Sequence, residues 1–321
     1  MTAEAMGRAI PVEAIAADTK MKYQDILSNC TLCPRKCKAD RLNGHRGYCG
    51  MDSTIWAARA ALHMWEEPCI SGKKGSGAVF FAGCGLRCCY CQNWDIAVGD
   101  RGKGITPERL SDIFLELEQK GAANINLVTG AHYVPQIVDA LEAAKNRGLS
   151  ISVVYNSSGY ECAETLHMLN GLIDIYLPDL KYLDPDLAKK FSNAPDYPDY
   201  AKEAIKEMVC QTGKCEFGED GYILKGTIVR HLILPGHTRN SIQVLEYLHK
   251  TYHNDIYISI MNQYTPLRHQ ERYEELNRRV TLREYEKVLN AALEMGIENG
   301  FFQEGETAKE SFIPSFNCEG V

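Results

Sequence analysis

Thirteen cysteines stand in this chain of 321 residues, and most of them fall into two tight groups. The first is Cys30-x2-Cys33-x3-Cys37-x11-Cys49. The second is Cys84-x3-Cys88-x2-Cys91, with Cys89 inside it. Residues 1–20 carry Glu4, Glu13 and Asp18 and no basic start before an apolar run, so no secretory leader is expected. In a reducing cytoplasm thiols stay free or bind metal. Three thiolates in the second group suit three irons of a 4Fe-4S cube and leave one iron open to a ligand. Cys89 sits too close to its neighbours to reach a different iron and reads as a spare, packed thiol. Four thiolates in the first group suit either tetrahedral zinc or all four irons of a second cube. Its spacing matches neither common zinc pattern well, and both readings stay open. Arg35, Lys36, Lys38 and Arg41 surround it, while Gly44, Gly47 and Gly50 permit tight turns. A metal would rigidify a segment too short to build its own core.

The elements that must position these loops alternate in type. An apolar run, Gly77 to Gly83, reads as a buried strand that delivers Cys84. Thr106 and Pro107 open a helix as N-cap and first residue. Strands are expected at Asn126–Thr129, Ile151–Tyr155, Leu172–Leu177, Thr227–Leu234 and Ile256–Ile260. Helices are expected at Pro135–Arg147, Cys162–Leu169, Asp184–Phe191, Tyr200–Val209, Ser241–His249 and Leu282–Met295. Six strand–helix units predict parallel βαβ crossovers. A full eight-fold barrel needs about 250 residues, so six units predict an incomplete barrel, with a doubly wound open sheet as the alternative. Either way ligands gather at the carboxyl ends of the strands, and the residues just after each strand are the ones to inspect.

The cysteine spacing after a glycine-ended strand, with Tyr90 before the third cysteine, resembles the signature of the radical S-adenosylmethionine (SAM) superfamily. Further marks resemble the pyruvate formate-lyase activating enzyme-like group: Cys30-Thr-Leu-Cys-Pro-Arg-Lys-Cys37, Cys91-Gln-Asn93, Pro178-Asp-Leu-Lys-Tyr182, Val229-Arg-His-Leu232 and Asn262-Gln-Tyr264. The resemblance implies an α/β fold, an incomplete (β/α)6 barrel of the radical SAM type, with a small Cys-rich N-terminal segment. It implies a 4Fe-4S cluster on Cys84, Cys88 and Cys91. It also implies SAM contacts from Asn93, Asp179, Lys181 and Arg230. Strand-end positions Thr129, Gly130 and Asn156 join this set, although the Gly-Gly-Glu-like turn of the superfamily is replaced here by Thr129-Gly-Ala-His-Tyr133. Asp179 and Lys181 share one strand face, as do Arg230 and Leu232. His231 faces the other way and reads as a helix-packing residue.

The implied chemistry is one-electron cleavage of SAM to a 5′-deoxyadenosyl radical that takes hydrogen from a substrate. That substrate is a glycine of a partner glycyl radical enzyme, or else a peptide or small metabolite. A reductant such as flavodoxin or ferredoxin is the implied partner. A non-catalytic iron–sulfur electron carrier is the reading from another class, but it gives inward-facing Asp179, Lys181 and Arg230 no task.

Composition bounds the rest. The chain is 45% hydrophobic and carries 35 basic against 42 acidic residues, a net charge of −7. That is globular, and it argues against a broad basic surface for duplex nucleic acid. No apolar run approaches the roughly 18 residues of a membrane span. Four regions are expected: a tail at 1–20, a Cys-rich segment at 21–75, the partial barrel at 76–302 and a C-terminal tail at 303–321. Cys210-x4-Cys215 reads as structural, and Gly72 to Gly77 as a linker that lacks the order of a phosphate loop.

Overall fold

A computed structural model describes residues 23–302 and 313–321. The expected tail at 1–20, and residues 303–312 of the C-terminal tail, lie outside the described residues. Ten strands form one sheet: β1 (Ile55–His63), β2 (Ser76–Phe81), β3 (Lys103–Ile105), β4 (Asn124–Val128), β5 (Ser152–Ser157), β6 (Ile175–Pro178), β7 (Glu216–Phe217), β8 (Ile223–Leu232), β9 (Tyr257–Met261) and β10 (Gly300–Phe302). The order is β10-β9-β8-β6-β5-β4-β2-β1-β3, with β7 paired to β8 as a hairpin. From β2 to β10 the path is parallel. Its two ends do not meet, so the barrel is incomplete.

The main helices are α1 (Pro107–Gln119), α2 (Val134–Asn146), α3 (Ala163–Leu166), α4 (Pro185–Ser192), α5 (Tyr197–Thr212), α6 (Thr238–Tyr252) and α7 (Leu282–Glu294). Thr106 caps α1 as expected, its side chain accepting from Arg109 N. Thr281 and Glu284 close a reciprocal capping box on α7.

Strand alternation sorts the core into two layers. Val79, Phe81, Ile125, Leu127, Val153 and Tyr155 pack outward against Leu110, Phe114, Ile137 and Leu141 of α1 and α2. Val154, Ile175, Leu177 and Ile228 face inward. They meet Cys69 and Ile70 from a helical turn at Pro68–Ser71, which plugs the barrel where the parallel strands begin.

Four elements extend the sequence reading: β1, β3, β7 and β10. β1 lies inside the stretch expected as the Cys-rich segment, yet it pairs antiparallel with β2 from His63↔Ser76 to Ala57↔Phe81. Residues 313–321 dock on β1: Cys318 N donates to Ala58 O, and Ala60 N donates to Glu319 O. Phe316 lies edge-on to Phe80 at 5.5 Å. No helix among the described residues is long and apolar enough to cross a membrane.

Candidate active site and its two cysteine loops

Gly83 stands two residues past the end of β2, with φ +89°. A side chain there would meet Met51 at 2.4 Å and His132 Nε2 at 3.0 Å, so both backbone and packing demand glycine. The loop that follows brings Cys84, Cys88 and Cys91 together as free thiols. Leu86 N donates to Cys84 Sγ at 3.3 Å. Ser192 Oγ donates to Cys88 Sγ at 3.0 Å and also meets the Tyr182 hydroxyl, which meets that of Tyr90 at 2.6 Å. The aromatic before the third cysteine thus helps fix the loop. Cys89 packs at the edge of the outer core, and its carbonyl accepts from Arg268 and Gln270.

Burial pushes the Cys91 thiol up to about 12, with the neighbouring Cys88 and Cys84 adding to the rise. Burial raises Cys88 too, against the pull of the Lys181 ammonium. Burial thus opposes ionisation of the Cys88 and Cys91 thiols, and a bound cation reverses that preference. Among the described residues no three His, Cys, Asp or Glu side chains converge on a point for a single ion. A cube does not need such convergence, because each thiolate meets its own iron. The donor set therefore fits a 4Fe-4S cluster. Asn93 lies two residues beyond Cys91, and its buried Oδ1 has no partner among the described residues, which fits a ligand contact.

Below this loop, inside the barrel, the expected polar residues do meet. Asp179 accepts from Lys181 Nζ at 2.6 Å and from Arg230 Nε at 3.0 Å. Burial would raise the Asp179 carboxyl, but the Lys181 and Arg230 charges outweigh it and hold the group below its ordinary range. Arg230 Nη2 donates to Asn156 Oδ1 at 2.6 Å. Asp179, Lys181 and Arg230 side chains remain about 15% exposed, open toward a ligand. Thr129 has φ +62°, a left-handed conformation that a β-branched residue rarely holds, and its N–H donates to Asn156 O at 2.9 Å. A side chain at Gly130 would strike Ile137 at 2.6 Å. His231 packs outward as expected, bonding Leu180 O and Ser241 of α6. Tyr264 spends its hydroxyl on Leu276 O, a structural bond.

Sequence reasoning missed Glu66 and Glu67. The turn between β1 and Pro68 carries them into the barrel. Glu66 accepts from Arg230 Nη1 at 3.2 Å, from Asn126 Nδ2 at 3.0 Å and from Asn156 Nδ2 at 3.3 Å. Burial raises both carboxyls, opposed by Arg230. A pair of acids directly before Pro68 and the apolar Cys69-Ile70 was the available signal. Glu161 was missed as well. It is buried beside Ser157 and Tyr155 and lines a small cavity with Cys33, Cys84, Thr129 and Ser158. Burial raises its carboxyl to about 7, against those two hydrogen bonds.

The first cysteine group is also a set of free thiols: Cys30 and Cys49 buried, Cys33 half-buried, Cys37 exposed. The sulfurs of Cys37 and Cys49 lie 2.8 Å and 3.7 Å from the point a Gly47 side chain would occupy. Cys210 is exposed, and Cys215 Sγ donates to Thr227 O.

An open parallel barrel with a three-thiol loop at the carboxyl end of its first parallel strand defines a class, and the comparison with known families agrees. The sequence model of the Radical SAM superfamily matches residues 78–248, and the chain belongs to that superfamily. Membership implies a 4Fe-4S cluster and SAM. An uncharacterised protein of Methanocaldococcus jannaschii is 28% identical over 280 residues, covering 84% of this chain and 75% of its own length. The pyruvate formate-lyase-activating enzyme of Clostridium pasteurianum is 26% identical over 223 residues, covering 65% of this chain and 83% of the enzyme. Among solved structures, Streptococcus suis SuiB bound to S-adenosylmethionine aligns with a TM-score of 0.46 at 16% identity, over 70% of this chain and 49% of SuiB. HydG, a maturase of the [FeFe]-hydrogenase, gives 0.46 at 14% identity, over 74% of this chain and 53% of its own. The chain spans about half the length of these two structures.

Proposed function

We propose that this chain reductively cleaves SAM at a cluster held by Cys84, Cys88 and Cys91 and abstracts hydrogen from a substrate. The observation that supports it most is the placement of the three-thiol loop above the interior Asp179–Lys181–Arg230 array, close enough that Lys181 acts on the Cys88 thiol. Bound there, cluster and SAM together supply one-electron chemistry that generates a 5′-deoxyadenosyl radical. The chain's own residues bind and orient. Lys181 and Arg230 offer cationic donors to a carboxylate. Asn93, Asn156 and the Thr129–Gly130 turn offer polar contacts around it. The Ser192 hydroxyl and the Leu86 N–H stabilise thiolate charge on Cys88 and Cys84.

The likeness to a pyruvate formate-lyase-activating enzyme favours a glycine of a partner protein as the hydrogen donor, and the open sheet leaves room for a protein substrate. Modification of a peptide or small metabolite is the alternative. The test is 5′-deoxyadenosine production from SAM by anaerobically reconstituted, chemically reduced protein, compared with Cys88→Ala. Product from the wild type alone supports the reading. A reducible cluster whose spectrum ignores added SAM sinks it in favour of an electron carrier. A persistent glycyl radical on a partner, against a stable mass change on a product, separates the two substrate classes.

A further inference from the structure

The two cysteine loops are distant in sequence and adjacent in the fold. Arg35 lies between Cys33 and Cys37. Its Nε donates to Gly85 O at 2.7 Å, its Nη1 to Asn193 O at 2.6 Å and its Nη2 to Ser192 O at 3.1 Å. Gly85 follows Cys84, and Ser192 is the residue whose hydroxyl donates to Cys88. One guanidinium therefore ties the first loop to two supports of the second. The Tyr48 ring lies 4.1 Å from that guanidinium and the Tyr160 ring 5.2 Å from it. Cys33 Sγ is 3.5 Å from where a Gly85 side chain would begin, and Cys33 and Cys84 line the same small cavity.

The opposite side of the first loop faces solvent. Cys37 is exposed, and so are Lys36, Lys38 and Arg46 around it. Glu164 faces Lys36 and Asp40 bonds Asn43, so the three cations leave a modest local basic excess in a chain of net charge −7. The loop therefore runs from a basic surface at Cys37 to the wall of the second loop at Cys33. Its four thiols are neighbours: Cys33 feels Cys49 and Cys30, and Cys49 feels Cys30 and Cys37. Four neighbouring thiols suit a cube, one for each iron. A zinc ion would have no use for a path to the second loop.

We propose that Cys30, Cys33, Cys37 and Cys49 hold a second iron–sulfur cluster that passes electrons to the Cys84–Cys88–Cys91 centre, and that the basic face around Cys37 receives an acidic one-electron donor protein. This rests on the radical SAM reading above. The bookkeeping is simple. The donor protein loses one electron, the first cluster gains it and then loses it, and the second centre ends one electron richer. No bond forms and no proton moves.

The test uses the whole, anaerobically reconstituted chain. Wild type should hold about eight irons, and a variant with Cys30, Cys33, Cys37 and Cys49 all changed to Ala about four. A variant with Cys84, Cys88 and Cys91 changed to Ala should likewise keep about four irons, which separates a failure of this proposal from a failure of the radical SAM reading. Electron paramagnetic resonance of the second centre then follows its reduction by reduced flavodoxin, an acidic donor, or by dithionite, which needs no docking face. Arg35→Gln keeps every cysteine and should keep the full iron content. In it, reduction by flavodoxin should slow by roughly 10-fold while dithionite reduces both proteins alike; added salt should slow flavodoxin with the wild type as well. Zinc at the first loop beside an intact second centre would overturn the proposal. So would a single four-iron cluster that is lost in Cys33→Ala, or flavodoxin reducing Arg35→Gln and the four-alanine variant as fast as the wild type.

Discussion

The loop from Cys84 to Cys91 is carried by a strand, whereas the loop from Cys30 to Cys49 is carried by side chains. The first of these leaves the end of β2, rests on α4 through Cys89 N to Phe191 O at 2.8 Å, and inherits its position from the sheet. The other contains no strand or long helix. It is fixed by Arg35 and by Arg41, which is fully buried and donates to Asp52 O from Nε and Nη2 and to His132 O from Nη1. Both loops hold non-glycine residues at positive φ: Arg87 in one, Lys36 and Lys38 in the other. A scaffold can impose such geometry from beneath. A loop without a core must be held from its sides, by a few strong hydrogen bonds and by whatever its thiols bind.

The largest effect should separate the two loops by task. With dithionite as reductant, Cys88→Ala should cut 5′-deoxyadenosine formation by about 100-fold or more, equivalent to at least about 3 kcal/mol at the barrier. Cys37→Ala should cost far less in the same assay, and equal losses would break the distinction. The next effect concerns the side-chain ties. Arg41→Met strips the buried His132 carbonyl and the part-buried Asp52 carbonyl of their donor and should destabilise the protein by about 3 kcal/mol in denaturant melts. A loss under about 1 kcal/mol would mean that the first loop is not held as described.

Glu161 lies at the cavity the two loops share, and its effect depends on pH. Its folded value, about 7, is above that of an unfolded glutamate, so the native state holds the proton more tightly. The associated stability is complete below about pH 4.5, declines as pH rises, and is lost above about 7. In metal-free protein, Glu161→Gln should therefore match the wild type at low pH and exceed it by up to about 3 kcal/mol above neutrality. Parallel melting curves across that range would remove the buried, protonated Glu161 from the account. The smallest effect belongs to backbone strain. Thr129→Gly and Lys38→Gly should each change stability by no more than about 1 kcal/mol, because relief of the left-handed conformation is offset by the greater chain entropy of glycine. A larger gain at Lys38 than at Thr129 would show that the first loop carries more of its strain unassisted.

Much of this arrangement was legible in the sequence because periodicity and spacing are local. The strand–helix alternation gave six units, and the inward placement of Asp179, Lys181 and Arg230 followed from strand alternation, whereas their pairing with one another is seen only in the fold. β1 was missed because Ile-Trp-Ala-Ala-Arg-Ala-Ala-Leu-His is rich in alanine, and its strand state comes from pairing with β2 rather than from propensity. The reach of Glu66 to Arg230 was invisible for a related reason. It depends on where the turn after β1 is carried once β1 has paired. Arg35 looked like part of a basic loop, and only the fold shows its three carbonyl partners on two other segments.

The docking of residues 313–321 on β1 also has a consequence for the order of synthesis. Arg59 and Ser315 meet across 256 positions of chain. Until that length has left the ribosome, the Ala58 carbonyl and the Ala60 amide lack their partners in this segment. At about 5–20 residues per second, the wait is on the order of ten to fifty seconds. During that interval an early-made strand edge stands open to any chaperone, or to a neighbouring nascent chain, that pairs with it first.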